Sequence, residues 1–304
     1  MKTLALATAT ALILGTTAAT YAATIFSDSF DRTDSNTVGT NDNALGGTIS
    51  QTWLEDGNLN DDVNDDDTDY SNDEVIASNA LLLDAAATNS GGTAWVIPDH
   101  DFTDVAITSG GGFTMSYTVD PAGSTGSSSK WGALSLGHSL ASAKDETNFG
   151  TDNDGDGEFV IVNNDVAFGI TIKDNGQYNI FEDGAGSTNA GTFDTNPSGT
   201  EAYSVVITVL TDSFASGQNA TISATVDGSD IDMDPDTSGT QLSRIFQWNT
   251  GSNYFNFESF NEPSSFDDIV IAAIPEPASL ALLLLGVAAV FGRRRVSTAL
   301  RTGD

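Results

Sequence analysis

The sequence has no cysteine among its 304 residues. No disulfide can brace the chain, so its stability must come from core burial, with bound cations as the remaining aid. Histidine is nearly as scarce: His100 and His138 are the two present, which leaves a zinc site without its usual donors. Positive charge is short as well, with ten Lys and Arg against 43 Asp and Glu and a formal net charge of −33. Residues 23–277 hold 42 of the acids and five bases (Arg32, Lys130, Lys144, Lys173 and Arg244), a formal charge of −37. Such a surface repels nucleic acid and acidic polymers and attracts cations, so no nucleic-acid partner is expected. Most of these carboxylates read as solubility in a salty medium, where repulsion is screened over several ångströms. Away from the two ends there is no amphipathic helix and no internal repeat.

The two ends are where apolar runs occur. Residues 1–22 carry Lys2, an apolar stretch over 4–14, and then small residues that place Thr20 and Ala22 at the −3 and −1 positions of a cleavage site. That is the pattern of a secretory signal peptide, which implies passage through the Sec translocon. At the other end, Pro275, Glu276 and Pro277 precede an apolar run over 278–291, and Arg293, Arg294 and Arg295 follow it. The prolines put the start of a helix after Pro277. Fifteen residues, 278–292, span roughly 22 Å, short of a hydrocarbon core of about 30 Å. The arginines stay on the cytoplasmic side, so the body is expected outside and the tail 297–304 inside. The stretch 274–296 resembles the PEP-CTERM sorting signal of Gram-negative bacteria, with motif, helix and basic cluster in matching order. That resemblance implies recognition by an exosortase, cleavage near the motif, a transient membrane anchor, a final place at the cell surface or outside the cell, and an association with extracellular polysaccharide.

Between the ends, residues 23–273 form one expected domain of short strands. Residues 113–119 alternate cleanly: Phe113, Met115, Tyr117 and Val119 face one way, Thr114, Ser116 and Thr118 the other. Residues 201–210 and 220–226 repeat the pattern. Asn175-Gly176 between two apolar runs predicts a hairpin with a two-residue type I′ turn, and Asp227-Gly228 predicts another turn. Residues 158–162, apolar on both faces, are expected to be a buried strand. About a dozen strands joined by polar turns make a sandwich or barrel. The later strands, FGITIKDNGQYNIFEDG, YSVVITVL, ATISATVDG, FNFESF and SFDDIVI, together with an opening SDSFDR at 27–32, resemble the concanavalin A-like, laminin-G-type jelly roll. In that family the first strand pairs near the last. The expected fold class is therefore an all-β, concanavalin A-like jelly-roll sandwich, flanked by a signal peptide and a C-terminal hydrophobic helix.

The sharpest local motif in the body is 152–158. Asp152, Asp154 and Asp156, with Gly157 and then Glu158, place oxygens at every second position, which can converge on one calcium ion at about 2.4 Å. A solvated acidic turn is the alternative reading. A structural calcium is the one cofactor the chain suggests. Glycoside hydrolysis needs two carboxylates aimed at one sugar ring. The E-x-D-x-x-E pattern of the laminarinase-like branch does not occur, and strand acids are few: Glu158, Glu258, Asp267 and Asp268. Ser135 in Ala133-Leu134-Ser135-Leu136-Gly137 loosely resembles a nucleophile elbow, but that motif needs a strand, turn and helix that the surroundings lack. His138 is expected in a loop. Glycan binding needs aromatic faces with polar edges. Of Trp53, Trp95, Trp131 and Trp248, each of which also reads as a core residue, the first and last stand among polar residues and are the better candidates for glycan contact. The chain therefore reads as an exported, exosortase-processed surface or matrix protein that is non-catalytic and binds glycan. A glycan-active hydrolase or lyase and a ligand-free structural protein remain the alternatives.

Overall fold

The computed structural model describes residues 23–35, 38–55, 74–83, 93–104, 107, 111–121, 130–144, 160–195, 197, 201–260 and 263–274. The signal peptide, the calcium-type motif with Asp152, Asp154, Asp156 and Glu158, and the tail motif with Pro275, Glu276, Pro277, Arg293, Arg294 and Arg295 lie outside them. The body is a compact unit, Thr24–Glu276. Among the described residues, no helix is long and apolar enough to cross a membrane.

In chain order the strands are β1 (Ala23–Asp28), β2 (Trp53–Glu55), β3 (Glu74–Ala77), β4 (Ala80–Leu83), β5 (Thr93–Pro98) and β6 (Gly112–Asp120). Then come β7 (Trp131–His138), β8 (Phe168–Lys173), β9 (Gln177–Glu182), β10 (Ala185–Gly186), β11 (Gly191–Thr192) and β12 (Tyr203–Leu210). β13 (Asn219–Val226), β14 (Ser229–Asp230), β15 (Arg244–Gln247), β16 (Tyr254–Phe260) and β17 (Ser264–Ala273) complete the set. They form two antiparallel sheets. One runs β14-β13-β12-β6-β17-β4-β3, with β1 on β17 and β15 on β13; the other runs β10-β9-β8-β7-β16-β5-β2, with β11 on β9. This is the all-β sandwich expected from the sequence, and the first strand does pair with the last.

Period-two alternation builds the core between the sheets. Phe113, Met115, Tyr117 and Val119 of β6 are buried, as are Val205, Ile207 and Val209 of β12 and Ile222, Ala224 and Val226 of β13. Their alternates are Ser, Thr and Val on the outer face. From the second sheet, Phe255 and Phe257 of β16 and Leu134 and Leu136 of β7 face inward. Phe257 meets Tyr117 and Phe266 edge-on, with ring centroids 5.7 and 5.3 Å apart, the geometry that aligns a positive ring edge with a negative face.

Two expectations need correction. The hairpin β8–β9 closes through three residues, Asp174, Asn175 and Gly176, and Gly176 alone of these takes a positive φ, +76°. Its N–H donates to the Lys173 carbonyl at 3.1 Å, while its own carbonyl accepts the N–H groups of Phe193 and Asp194. Those tertiary bonds favour a three-residue loop over the tighter turn. The type I′ turns stand instead at Ser78-Asn79, Asp183-Gly184 and Asp227-Gly228, where both central residues have positive φ. The expected strand at 158–162 is, over Val160–Val162, a 3-10 turn with three buried side chains.

Candidate functional site

The second sheet has two different faces. Its inner face fills the core; part of its outer face is covered by described turns of the connection from β7 to β8. The 3-10 turns Ser142–Lys144 and Val160–Val162 lie in that connection. Ala143 and Val160 pack with Trp95 and Ile97 of β5. Ile161 and Val162 pack with Trp131 and Ala133 of β7, and with Phe181 and Phe260. Gly169 of β8 permits the approach: a Cβ there would stand 2.6 Å from an Ile161 side-chain carbon.

Polar side chains of the same outer face hold the cover down. Glu258 of β16 is 1% exposed, and its two carboxylate oxygens accept the N–H groups of Val160 and Ile161, each at 3.2 Å. Those are the orphan donors that the start of a helical turn leaves open. Asn256 donates to the Ala143 carbonyl at 3.1 Å. Ser135 Oγ is 2.7 Å from His138 Nε2, and His138 Nδ1 is 3.0 Å from Ser142 Oγ and 3.8 Å from an Asp165 oxygen. Ser142 Oγ in turn donates to Asp165. The serine, imidazole and carboxylate are thus assembled, but Ser135 is 1% exposed and His138 is fully buried. Substrate has no approach, and the cluster ties both ends of the cover to the sheet. His138 ends β7 rather than sitting in a loop. Burial pushes its imidazole down to about 4, against the opposing pull of Asp165.

What the cover leaves open is a groove of about 490 Å³. Phe181, Phe260 and the edge of Trp131, 8% exposed, supply apolar walls, and Lys173 an ammonium; Thr171 and Asn179 complete the lining, bonded to each other and, from the Asn179 amide, to Ser187. Register brings them together. Trp131 stands opposite Phe260 on β16 and opposite Lys173 on β8, and Thr171 stands opposite Asn179 on β9. The Trp131 and Phe260 ring centroids are 5.3 Å apart with planes tilted by 30°. Partial burial lowers the Lys173 ammonium below the ordinary lysine range. Volume and lining fall within the range of small-ligand clefts, which combine apolar and aromatic walls with a few converging polar groups.

The tryptophans singled out from sequence are not in this groove. Trp53 is 2% exposed and Trp248 fully buried, so neither offers a face to a glycan. Each has turned inward because an acceptor waits for its N–H. Trp53 Nε1 donates to Asp28 at 2.8 Å and its ring lies among Phe26, Phe30 and Phe257. Trp248 Nε1 donates to Thr211 at 3.1 Å and packs on Phe214. Asp28, fully buried, also accepts two bonds from Arg32, at 2.6 and 3.1 Å, so the SDSFDR motif is a core anchor. The groove residues that sequence reasoning passed over, Phe181 and Phe260, had one signal: an aromatic on the outward phase of a strand whose inward phase was already filled. Among the described residues, no group of three or more His, Cys, Asp or Glu is placed to hold a metal ion.

Comparison with curated proteins found no match. Solved structures similar to this chain include the endo-1,3-beta-glucanase from Streptomyces sioyaensis, with 11% identity, 82% of this chain and 96% of that one covered, and a TM-score of 0.46. The metal-free carbohydrate recognition domain of Emp46p is 9% identical over 66% of this chain and 84% of its own, with a TM-score of 0.40. Lectin II from Ulex europaeus is 10% identical over 79% and 97%, with a TM-score of 0.36. Residues 273–295 match the model of the PEP-CTERM protein-sorting motif, so the chain carries the C-terminal sorting signal of an exported, exosortase-processed protein.

Proposed function

We propose that this is an exported cell-surface or matrix protein that binds glycan, without catalysis, in the groove on the outer face of the second sheet. The observation that carries the reading is the pairing of Trp131, Phe181 and Phe260 walls with the Lys173 ammonium in one groove. Sugar rings present apolar CH faces and polar rims, and this lining is complementary to both. The export route through a signal peptide at 1–22 and the Sec translocon, and a transient anchor formed by the apolar run 278–291, belong to the same proposal. So does a structural calcium at Asp152, Asp154, Asp156 and Glu158, on sequence spacing alone. A glycan array probed with the purified protein, with and without EDTA, tests the reading: binding is expected, and its absence in both conditions overturns it. Release of reducing sugar from a bound glycan would replace it with the hydrolase alternative.

A further inference from the structure

The chain leaves its fold at a definite place. Ile274 follows β17 directly, and its N–H donates to the Gly112 carbonyl at 3.0 Å. Gly112 stands opposite Leu210, Leu210 opposite Thr221, and Thr221 opposite Ile245. Ile274, Gly112, Leu210, Thr221 and Ile245 therefore form one row across five strands, roughly 19 Å at the usual strand spacing. Leu210 is 49% and Ile245 61% exposed, both on the outer face of the nine-stranded sheet.

The row behind it is free of charge. Ala272 stands opposite Thr114, Thr114 opposite Thr208, and Thr208 opposite Ser223. One row further in stand Val270, Ser116, Val206 and Thr225. No ionisable side chain occurs in the exit row or the row behind it, although the body holds 42 acids; in the third row Asp230 of β14 stands opposite Thr225. Asp212, just past Leu210, and Asp267 and Asp268, a row deeper on β17, mark the border.

We infer that this face is a bilayer-facing surface, resting on lipid headgroups while the tail is anchored; the inference rests on the anchoring reading above. Reach supports it. Three residues lie between Ile274 and the apolar run at Ala278, four residue steps, so the exit row stands within roughly 14 Å of the hydrocarbon edge. The headgroup zone accounts for about 6 Å of that on each side. A face set against headgroups is favoured where it carries exposed apolar side chains and disfavoured where it carries acids. The row at the exit point has the first and lacks the second. The groove, on the outer face of the other sheet, then points away from the membrane.

The cysteine-free chain suits single-site labelling. Full-length protein with Leu210→Cys, Ile245→Cys, Ala185→Cys or Leu284→Cys, each carrying one fluorophore, is reconstituted into phosphatidylcholine vesicles containing nitroxide lipids. Ala185 is exposed on β10 of the opposite sheet. Positions 210 and 245 are expected to be quenched several-fold more than 185 by headgroup nitroxide, and 284 to be quenched by acyl-chain nitroxide. Quenching at 284 with equal values at 210, 245 and 185 overturns the docking face alone. No quenching at 284 overturns the anchoring, and the docking face with it.

Discussion

Acidification should act on this fold through His138. The perturbation is a change of pH from 7.5 to 4, and the structural quantity is the imidazole held down to about 4 by burial against Ser135 and Ser142, with Asp165 nearby. In the unfolded chain the same group titrates near 6.5. Between those values the unfolded state binds the extra proton, so stability present above pH 6.5 is lost as the pH falls and levels off below about 4. A difference of about 2.5 units at 1.36 kcal/mol each gives roughly 3 kcal/mol. The assay is urea unfolding of the wild type and His138→Asn across that range. The mutant lacks the titrating ring but keeps every carboxylate. The wild-type advantage over His138→Asn should shrink by about 3 kcal/mol between pH 7.5 and 4. An advantage that stays level with pH would refute the claim that this imidazole is buried and neutral.

Asp267 works in the opposite direction. Its carboxyl is pushed up to about 6 by partial burial, with Asp268, Asp31 and Asp28 adding to the rise. The folded state then holds the proton more tightly, so stability falls as the pH rises from about 4 through about 6. Asp267→Asn should therefore raise the melting temperature at pH 8 and leave it nearly unchanged at pH 4. The Tyr117 hydroxyl is buried with no hydrogen-bond partner among the described residues, so Tyr117→Phe should stabilise the protein by about 1 kcal/mol in urea unfolding. Millimolar calcium should raise the melting temperature of EDTA-treated protein, and Asp154→Asn should abolish the rise.

Local pattern carried much of the architecture. The alternation at Phe113, Met115, Tyr117 and Val119 fixes which face of β6 is buried, because a strand has only two faces. The tail motif is contiguous, so it is readable without a fold. The groove is not contiguous: Trp131, Phe181 and Phe260 meet only because β7 pairs with β16 and β8, and β8 with β9. Nothing within a window of ten residues encodes that register. Trp53 and Trp248 misled for a related reason. Their sequence neighbours are polar, but alternation sends Thr52 and Gln247 outward while the indoles turn in to Asp28 and Thr211. The 160–162 segment reads as a strand from its valines and isoleucine. It becomes a 3-10 turn because Glu258, almost a hundred residues away, accepts its N–H groups.

The central claim is that the Trp131 groove binds glycan, and the most direct measurement compares wild type, Trp131→Ala and Asp230→Asn on one glycan array, followed by titration calorimetry with the best-bound glycan. Asp230 is exposed on β14 of the other sheet and serves as the control. The account predicts wild-type binding, an unchanged control, and a loss of about tenfold or more in affinity for Trp131→Ala, which is 1.4 kcal/mol or more of lost contact. Equal affinity in all three proteins would contradict it.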